Sequence, residues 1–394
     1  MRHVSRSLFA VLACCLLFVV DAHAGEDGAP LVPFSSLPWY HRITLRGFVD
    51  VYYAYNFNRP ADGSNFTNVV GKDAAGTDVV TPLTGTSGKR ANELGLNLAV
   101  LELNLDPEPF GIRLVLNYGH GTEVLHAFES RGVAADPGLW RFVQEASVTY
   151  KIPLGTGLLV TGGIFPSHIG FEVLASKDNW NYTRSWVSDL APFYQAGLRL
   201  SYAFTKNLSA QIHVLNGWQV ISDNNEAKTL GAQLLYTSER LTVSYNLLAG
   251  PESLGDNRSF RVLNDLYAYG KPLSSVSIGA VADLGVQEYP DRPAALWAAG
   301  ELFLRVQPWS KLAFCLRGGV FYDPKNAISG AEQLLGEGTA TVEVRPAEEY
   351  VIKLEGRYDR STAAVFSGRE RLPSGSAALR DDQGLLLVSG VASF

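Results

Sequence analysis

The chain has 394 residues, with 33 Lys and Arg against 39 Asp and Glu, which gives a net charge of −6. Apolar residues make up 46% of the chain and charged residues only 18%, so the composition excludes intrinsic disorder. No basic run is longer than two residues, and we therefore expect no nucleic-acid partner. After residue 24, no apolar stretch approaches the roughly 18 residues that a membrane-spanning helix needs.

The first 24 residues are typical of a secretory signal peptide. Arg2 and Arg6 form a positive start, residues 8–20 are apolar, and residues 22–24 match an A-x-A cleavage pattern. We expect cleavage after residue 24, and a periplasmic N-terminal segment at residues 25–42. A lipoprotein processing site at Cys14 is disfavoured because the apolar run continues beyond it. Cleavage would leave one cysteine, too few for an internal disulfide or a cysteine-based zinc site.

From residue 43 onward, apolar and polar residues alternate with a period of two, which is typical of β-strands. In residues 43–57, for example, Leu45 and Val49 share one face while Arg46 and Asp50 share the other. Sixteen candidate strands begin near residues 43, 92, 110, 142, 157, 193, 208, 228, 240, 258, 274, 296, 310, 338, 349 and 383. No helix of ten or more residues is predicted. Such long strands suit a tilted bilayer crossing of about 9–11 residues.

Short turns alternate with long links along the chain. The seven short turns are predicted at residues 106–109, 153–156, 206–207, 238–239, 270–272, 307–309 and 346–348. The eight long links are predicted at residues 57–91, 119–140, 165–192, 217–227, 250–257, 285–295, 323–337 and 360–382. This alternation is typical of an even-stranded bacterial outer-membrane barrel, in which closure satisfies the backbone groups that lipid cannot.

The sequence thus predicts an all-β protein: a transmembrane, antiparallel, up-and-down β-barrel of about sixteen strands over residues 43–394. Both ends of the chain and the tight turns are expected on the periplasmic side, and the long loops outside. Aromatic residues gather near the strand ends, as in the girdles of such barrels. The terminal Phe394 resembles the signal that the barrel assembly machinery reads. Outer-membrane lipid and this machinery are therefore expected partners.

The polar strand faces would then line the lumen, because a lipid-facing Arg at the bilayer midplane costs about 2–4 kcal/mol. The predicted lumen charges are Arg46, Asp50, Arg113, Glu145, Lys151, Arg199, Lys311, Arg317, Glu343, Arg345, Lys353, Glu355 and Arg357. Sixteen strands leave room for a water-filled channel. The alternative is that these charges pair across neighbouring strands and seal the lumen.

The third long link, residues 165–192, is the best candidate for a loop that folds inward and narrows the channel. Its aromatic residues Trp180, Tyr182 and Trp186 could pack on the wall. Its charges, which would set the constriction, are Glu172, Lys177, Asp178, Arg184 and Asp189. A simple extracellular loop is the alternative.

Two stretches resemble a known family. Residues 45–60, LRGFVDVYYAYNFNRP, look like the opening strand of the OmpL-like β-barrel porins, and residues 162–172 with 179–185 are similar to a second characteristic region. Thr183 stands where Ser is expected. The resemblance implies a bacterial outer-membrane porin that passes small hydrophilic solutes, and it leaves the solute class open.

Other functions find less support. The mature histidines lie in no recognisable serine-hydrolase motif, His120 and His126 lack a third metal ligand, and no phosphate-binding glycine loop occurs. We therefore expect no catalysis, metal or cofactor. A receptor or structural barrel without an open channel is the main alternative, although residues 25–42 are too few for a plug domain. A homo-oligomer is left open.

Overall fold

The computed structural model describes residues 38–72, 78–126, 129, 137–372 and 374–394. The chain divides into two compact units, residues 1–41 and residues 42–394. The described residues of the first unit, 38–41, include the start of a short 3-10 helix, Trp39–Arg42. The predicted signal peptide and most of the predicted periplasmic segment lie outside the described residues.

The second unit is a closed antiparallel barrel in which each strand pairs with its neighbours in sequence and the last strand pairs with the first. Its sixteen strands are β1 (Ile43–Asn56), β2 (Leu94–Leu105), β3 (Phe110–Tyr118), β4 (Val143–Ile152), β5 (Leu158–Pro166), β6 (Tyr194–Ala203), β7 (Leu208–Leu215), β8 (Thr229–Thr237), β9 (Leu241–Pro251), β10 (Phe260–Leu273), β11 (Val276–Gln287), β12 (Ala295–Trp309), β13 (Leu312–Asp323), β14 (Gln333–Val344), β15 (Tyr350–Ser361) and β16 (Asp382–Ser393). The predicted barrel is confirmed. Fifteen strands begin within two residues of the predicted start, and β14 begins five residues before it.

The connections alternate between tight turns at one end of the barrel and long loops at the other. We number the long loops in chain order: loop 1 (57–93), loop 2 (119–142), loop 3 (167–193), loop 4 (216–228), loop 5 (252–259), loop 6 (288–294), loop 7 (324–332) and loop 8 (362–381). Loops 1 and 8 each contain a small hairpin: Asn68–Lys72 with Asp78–Pro82, and Phe366–Arg371 with Ala377–Arg380.

The helices of the described residues are short. They are α1 (His120–Leu125) and α2 (Pro137–Trp140) in loop 2, and a 3-10 turn (Ser176–Asp178) followed by α3 (Trp186–Asp189) in loop 3. Within the described parts of the chain, no helix has the length and apolar character needed to cross a membrane.

Two predicted turns are wrong. Residues 270–272 lie inside β10 and residues 307–309 lie inside β12, and the chain reverses a few residues later, at 274–275 and 310–311. Each segment contains a proline, which was read as a turn signal. The pairing register shifts at both places, between Gly270 and Leu273 and between Val306 and Trp309. A bulge of this kind tolerates proline in a strand because no ladder hydrogen bond is needed there.

The two faces of the barrel wall differ in polarity as predicted. In β15, Lys353 and Glu355 point inward and are each 1% exposed, whereas Leu354 between them points outward and is 51% exposed. The same alternation runs through the other strands, so the large exposed side chains are mainly apolar and the buried set is rich in charged residues. This is the inverse of a soluble protein and fits a wall that faces lipid.

The last residue completes the closure of the barrel. The backbone N–H of Phe394 donates to the Gly47 carbonyl at 3.0 Å, and the Phe394 carbonyl accepts from the Gly47 N–H at 3.2 Å. The Phe394 ring is 72% exposed at the tight-turn end. That the assembly machinery reads this residue stays a prediction.

The outer face supplies a test of membrane embedding. We expect Leu354→Arg to lower the free energy of unfolding by about 2–4 kcal/mol, because it places a charge in the hydrocarbon layer. The matched change Tyr350→Arg lies on the same face near the end of the strand and should cost roughly 0–1 kcal/mol. Denaturant unfolding of the two variants from lipid vesicles measures both values. Equal losses would contradict the assigned lipid face.

Candidate functional site

Loop 3 lies inside the barrel, where the side chains of the wall hold its backbone. The carboxylate of Glu355 accepts hydrogen bonds from the backbone N–H groups of Tyr182, at 2.6 Å, and Thr183, at 2.9 Å. The carboxylate of Asp50 accepts from the Ser176 hydroxyl at 2.6 Å and the Tyr182 hydroxyl at 3.0 Å. Because Asp50 and Glu355 point inward from β1 and β15, these contacts place the loop within the lumen.

Cationic wall side chains hold the carbonyl groups of the same loop. The Lys353 ammonium donates to the Ser176 carbonyl at 2.8 Å. Arg345 donates to the Lys177 carbonyl at 2.8 Å, and Arg357 donates to the Arg184 carbonyl. Hydrogen bonds with an ionised partner are roughly twice as strong as neutral ones. Loop 3 is therefore fixed to β15 and to the turn that precedes it through both kinds of backbone polar group.

The wall beneath loop 3 carries a continuous ion-pair network. Glu337 on β14 pairs with Arg317 at 2.6 Å and with Arg357 at 2.8 Å. Arg357 also pairs with Asp359 at 2.8 Å, and Arg317 reaches loop 3 itself through Glu172 at 2.9 Å. All these side chains are buried. On this side of the barrel, charges from neighbouring strands pair with one another.

A second group of pairs lies nearer the tight-turn end. Glu343 on β14 pairs with Arg305 at 2.8 Å, Arg345 at 3.0 Å and Lys353 at 3.5 Å. Two further predicted lumen charges lie close to the turns themselves. Lys151 pairs with Glu108 at 2.8 Å, and Lys311 donates to the Pro346 carbonyl at 2.8 Å.

Apolar contacts fix loop 3 from another direction. The Phe171 ring packs edge-on against Phe303 of β12, with ring centroids 4.9 Å apart, and against Trp180 of the same loop at 5.5 Å. Trp186 packs against Phe66 of loop 1 at 6.2 Å. Phe66, Trp186 and Phe303 belong to one large buried cluster, and the partly buried Phe171 and Trp180 pack against it. The barrel interior thus holds an apolar core, which the strand pattern did not predict because it assigned apolar side chains to the outer face.

Loop 1 also enters the barrel and covers loop 3 on the side of the long loops. Its residues 64–68 and 84–89 are buried. The Gly85 N–H and the Thr86 hydroxyl donate to the Asp189 carboxylate at 2.9 and 2.6 Å, and the Phe66 N–H donates to Gln383 of β16 at 3.1 Å. From the sequence, this loop is predicted to lie outside with the other long loops, because the alternation of short and long connections does not distinguish a loop that folds inward.

Two cavities lie on the opposite side of the lumen, between loop 3 and strands β1–β6. A cavity of about 560 Å³ is bordered there by Arg46, Glu102 and Arg113 of the wall. Loop 3 contributes Glu172, Lys177 and Asp178 to its border. A cavity of about 230 Å³ continues toward the tight turns, lined by Arg113, Glu145 and Arg199. A third cavity, of about 300 Å³, lies among the long loops and is lined by loops 1–5 and 7 and by Arg261 of β10, with Asp189 on its border.

Charges on the open side are less completely paired than those under loop 3. Arg113 pairs with Glu145 at 2.8 Å and with Glu102 at 3.3 Å. Arg199 lies over the Phe165 ring at 4.7 Å. Within the described residues, neither Arg46 nor Arg199 forms an ion pair. The wall on the open side therefore carries more positive than negative groups. It has the guanidinium groups of Arg46, Arg113 and Arg199 and the carboxylates of Glu102 and Glu145.

The predicted site residues consequently fall into two groups. Arg46, Arg113, Glu145, Arg199 and the loop 3 residues Glu172, Lys177 and Asp178 border open space, and Asp189 borders the cavity at the loop end. Asp50, Arg317, Glu343, Lys353, Glu355 and Arg357 are buried on the wall, where most of them bind loop 3. Arg345 is partly exposed beside them, and Arg184 is buried within the loop, where it pairs with Asp189 at 3.3 Å.

The histidines contact other aromatic groups. His120 lies 3.3 Å from the Tyr52 hydroxyl, His126 packs on the Tyr194 ring at 4.7 Å, and His168 stacks on His213 at 4.1 Å. In the parts of the chain that the structure describes, no three His, Cys, Asp or Glu side chains are grouped as metal ligands.

A model of the family described as "Putative beta-barrel porin-2, OmpL-like" matches residues 42–394. The chain belongs to this family. No curated protein matches the sequence. The porin is similar in fold to the anion-selective porin from Comamonas acidovorans, with a TM-score of 0.54 at 12% identity over 89% of this chain and 99% of that one.

Two further solved structures share the fold. The outer membrane channel DcaP of Acinetobacter baumannii has a TM-score of 0.52 at 13% identity, covering 89% of this chain and 97% of its own. The trimer form of OmpT, an outer membrane protein of Vibrio cholerae, has a TM-score of 0.54 at 9% identity, covering 89% and 99%. The predicted family, outer-membrane location and porin function are confirmed.

Removal of one wall carboxylate tests how loop 3 is held. Glu355→Ala leaves two loop N–H groups without an acceptor, and hydrogen bonds to a charged group contribute about 1.5–3 kcal/mol each. We expect amide hydrogen exchange in residues 180–186 to accelerate at least tenfold, while the strand amides stay protected. Glu349→Ala, in the exposed turn between β14 and β15, is the matched control. Unchanged exchange in Glu355→Ala would show that the loop is held by other contacts alone.

Proposed function

We propose that this porin conducts small hydrophilic solutes passively through a cavity among the long loops and then along the open side of its lumen, between loop 3 and strands β1–β6. The observation that carries the proposal is the succession of three cavities from one end of the barrel to the other. The cavity at the loop end shares Ala191 and Phe193 with the central one. The central cavity shares Arg113 and Pro166 with the cavity near the tight turns.

Loop 3 then acts as the constriction. We place the constriction around Ala191 and Phe193, which line both the outer and the central cavity. The loop is suited to this role because hydrogen bonds, ion pairs and aromatic packing all hold it against β12–β15 and β1. A rigid loop gives a fixed cross-section, so solutes are sorted by size.

The two groups of predicted residues acquire different roles in this proposal. Arg46, Arg113, Glu145 and Arg199 line the route and set its field, since opposite charges on a narrow wall orient polar solutes. Asp50, Arg317, Lys353, Glu355 and Arg357 position the loop. Glu343 orients Arg345 and Lys353 for the same purpose.

Conductance in planar bilayers tests the channel. We expect stepwise currents in KCl, and Arg113→Gln should shift the reversal potential in a salt gradient toward cation preference. The reason is that Glu102 and Glu145 lose their cationic partner and attract cations instead. Glu145→Gln should shift it toward anion preference. Arg360→Gln, an exposed position on β15, is the control and should leave the potential unchanged.

Absence of any current would reject the channel and favour a receptor or structural barrel. The observation behind this second candidate is that loops 1 and 3 fill much of the lumen. Equal shifts in Arg113→Gln and Arg360→Gln would reject the proposed route while leaving a channel in place.

We also propose that the porin assembles as a homotrimer in outer-membrane lipid. The support is the fold shared with the trimer form of Vibrio cholerae OmpT and a broad apolar outer face that a second copy can cover. Cross-linking in intact outer membranes should give a species of three times the chain mass. A monomer alone under these conditions would contradict the proposal.

A further inference from the structure

The cavity at the loop end has the composition of a small-molecule site. Its volume is about 300 Å³, at the lower end of the range of roughly 300–1,000 Å³ seen for ligand pockets. Most of its wall is apolar, with contributions from Leu83, Val124, Phe193, Trp218 and Val220. Ligand sites commonly combine such a wall with a few polar groups that fix orientation.

Three charged residues border this cavity, and two of them are already engaged. Asp189 is bound by Arg184 and by loop 1. The Glu252 carboxylate accepts hydrogen bonds from the Trp218 N–H at 2.6 Å and the Thr229 hydroxyl at 2.6 Å. Burial raises the pKa of Glu252 above its ordinary value, although these hydrogen bonds and the charge of Arg261 oppose the rise. Both carboxylates thus have little capacity left for a cationic solute.

Arg261 is the third charged residue, and its terminal nitrogens are free to bind. Its Nε donates to the Gln287 side-chain oxygen at 2.6 Å, and its guanidinium carbon lies 5.0 Å from the centroid of the Trp218 ring. Within the described residues, neither terminal nitrogen has a hydrogen-bond acceptor or an ion-pair partner. The contacts with Gln287 and Trp218 fix the plane of the guanidinium group. An oriented guanidinium fork matches the two oxygens of a carboxylate.

We propose that this cavity is a capture site for small organic carboxylates with an apolar body, in which the carboxylate binds Arg261 and the body lies against Trp218. The site shares Ala191 and Phe193 with the central cavity, so a captured solute stands at the entrance of the channel. The role of this site in solute uptake rests on the proposed channel function. Binding of the carboxylate, however, is measured independently of ion conduction.

Fluorine NMR titration of the folded full-length porin in detergent tests the site. The probes are 4-fluorobenzoate, 4-fluorobenzyl alcohol and 4-fluorobenzylamine, which share a ring and differ in charge. We expect the acid to bind more tightly than the other two. Arg261→Gln should weaken binding of the acid by about tenfold or more, because a charge-assisted contact is lost, and should leave the alcohol unchanged.

Two further variants test whether binding depends on the position of the positive charge and on the geometry of the guanidinium group. Arg258→Gln removes the same charge from an exposed position three residues away and should not affect binding. Arg261→Lys keeps the charge but loses the fork, and should bind the acid with intermediate affinity. Equal affinity for the three probes, or equal losses in Arg258→Gln and Arg261→Gln, would overturn the inference.

Conductance of the same preparations separates this inference from the channel proposal. KCl currents without selective binding of the acid would reject the capture site and leave the channel intact. Selective binding without KCl currents would support the site and reject the channel. Normal currents through Arg261→Gln would also show that this variant folds.

Discussion

The structure depends on one constraint: in lipid, every backbone N–H and C=O of the wall must find its partner within the protein. The chain meets it by pairing its first strand with its last, over nine residue pairs from Phe48 with Ser393 to Asn56 with Leu385. Once the sheet is closed, each strand has one face toward lipid and one toward the lumen. The alternation of Lys353, Leu354 and Glu355 follows directly, because a charge on the outer face has no partner.

That constraint creates a second one inside the barrel. A ring of inward charges is costly unless each is solvated or paired, and removal of one member of a buried pair typically costs about 3–5 kcal/mol. On β13–β15 the chain solves this with loop 3. The loop offers N–H groups to Glu355 and carbonyls to Lys353 and Arg357, so the same contacts neutralise the wall and order the loop. Arg46, Arg113, Glu145 and Arg199 instead border open space, where water can solvate them.

The sequence was sufficient to predict the strands of the barrel wall, but not which loops and side chains fill the barrel interior. Strand positions and faces follow from a period of two, which is a local property, and so sixteen strands were predicted. The two turns predicted at residues 270–272 and 307–309 are wrong because proline, which favours turns, is accommodated there by a bulge within the strand. The inward position of loop 1 and the pairing of Phe171 with Phe303 depend on contacts between residues far apart in the chain. No local sequence pattern predicts contacts between residues so far apart in the chain. The roles of the charged residues in permeation, predicted from their parity, remain predictions.

Because loop 3 lies against one side of the barrel, the wall divides into two arcs of strands with different roles. The arc from β12 to β15, with β1, works as a scaffold, and most of its inward charged side chains are bound to partners inside the protein, several to more than one. Within the described residues, the charged side chains Glu102, Arg113, Glu145 and Arg199 of the arc from β2 to β6 form no hydrogen bond or ion pair with loop 3, so they can be changed without loosening the scaffold. A barrel built this way can acquire a new permeant by changes on a few neighbouring strands, and a designer seeking a sensor pore would alter that arc first.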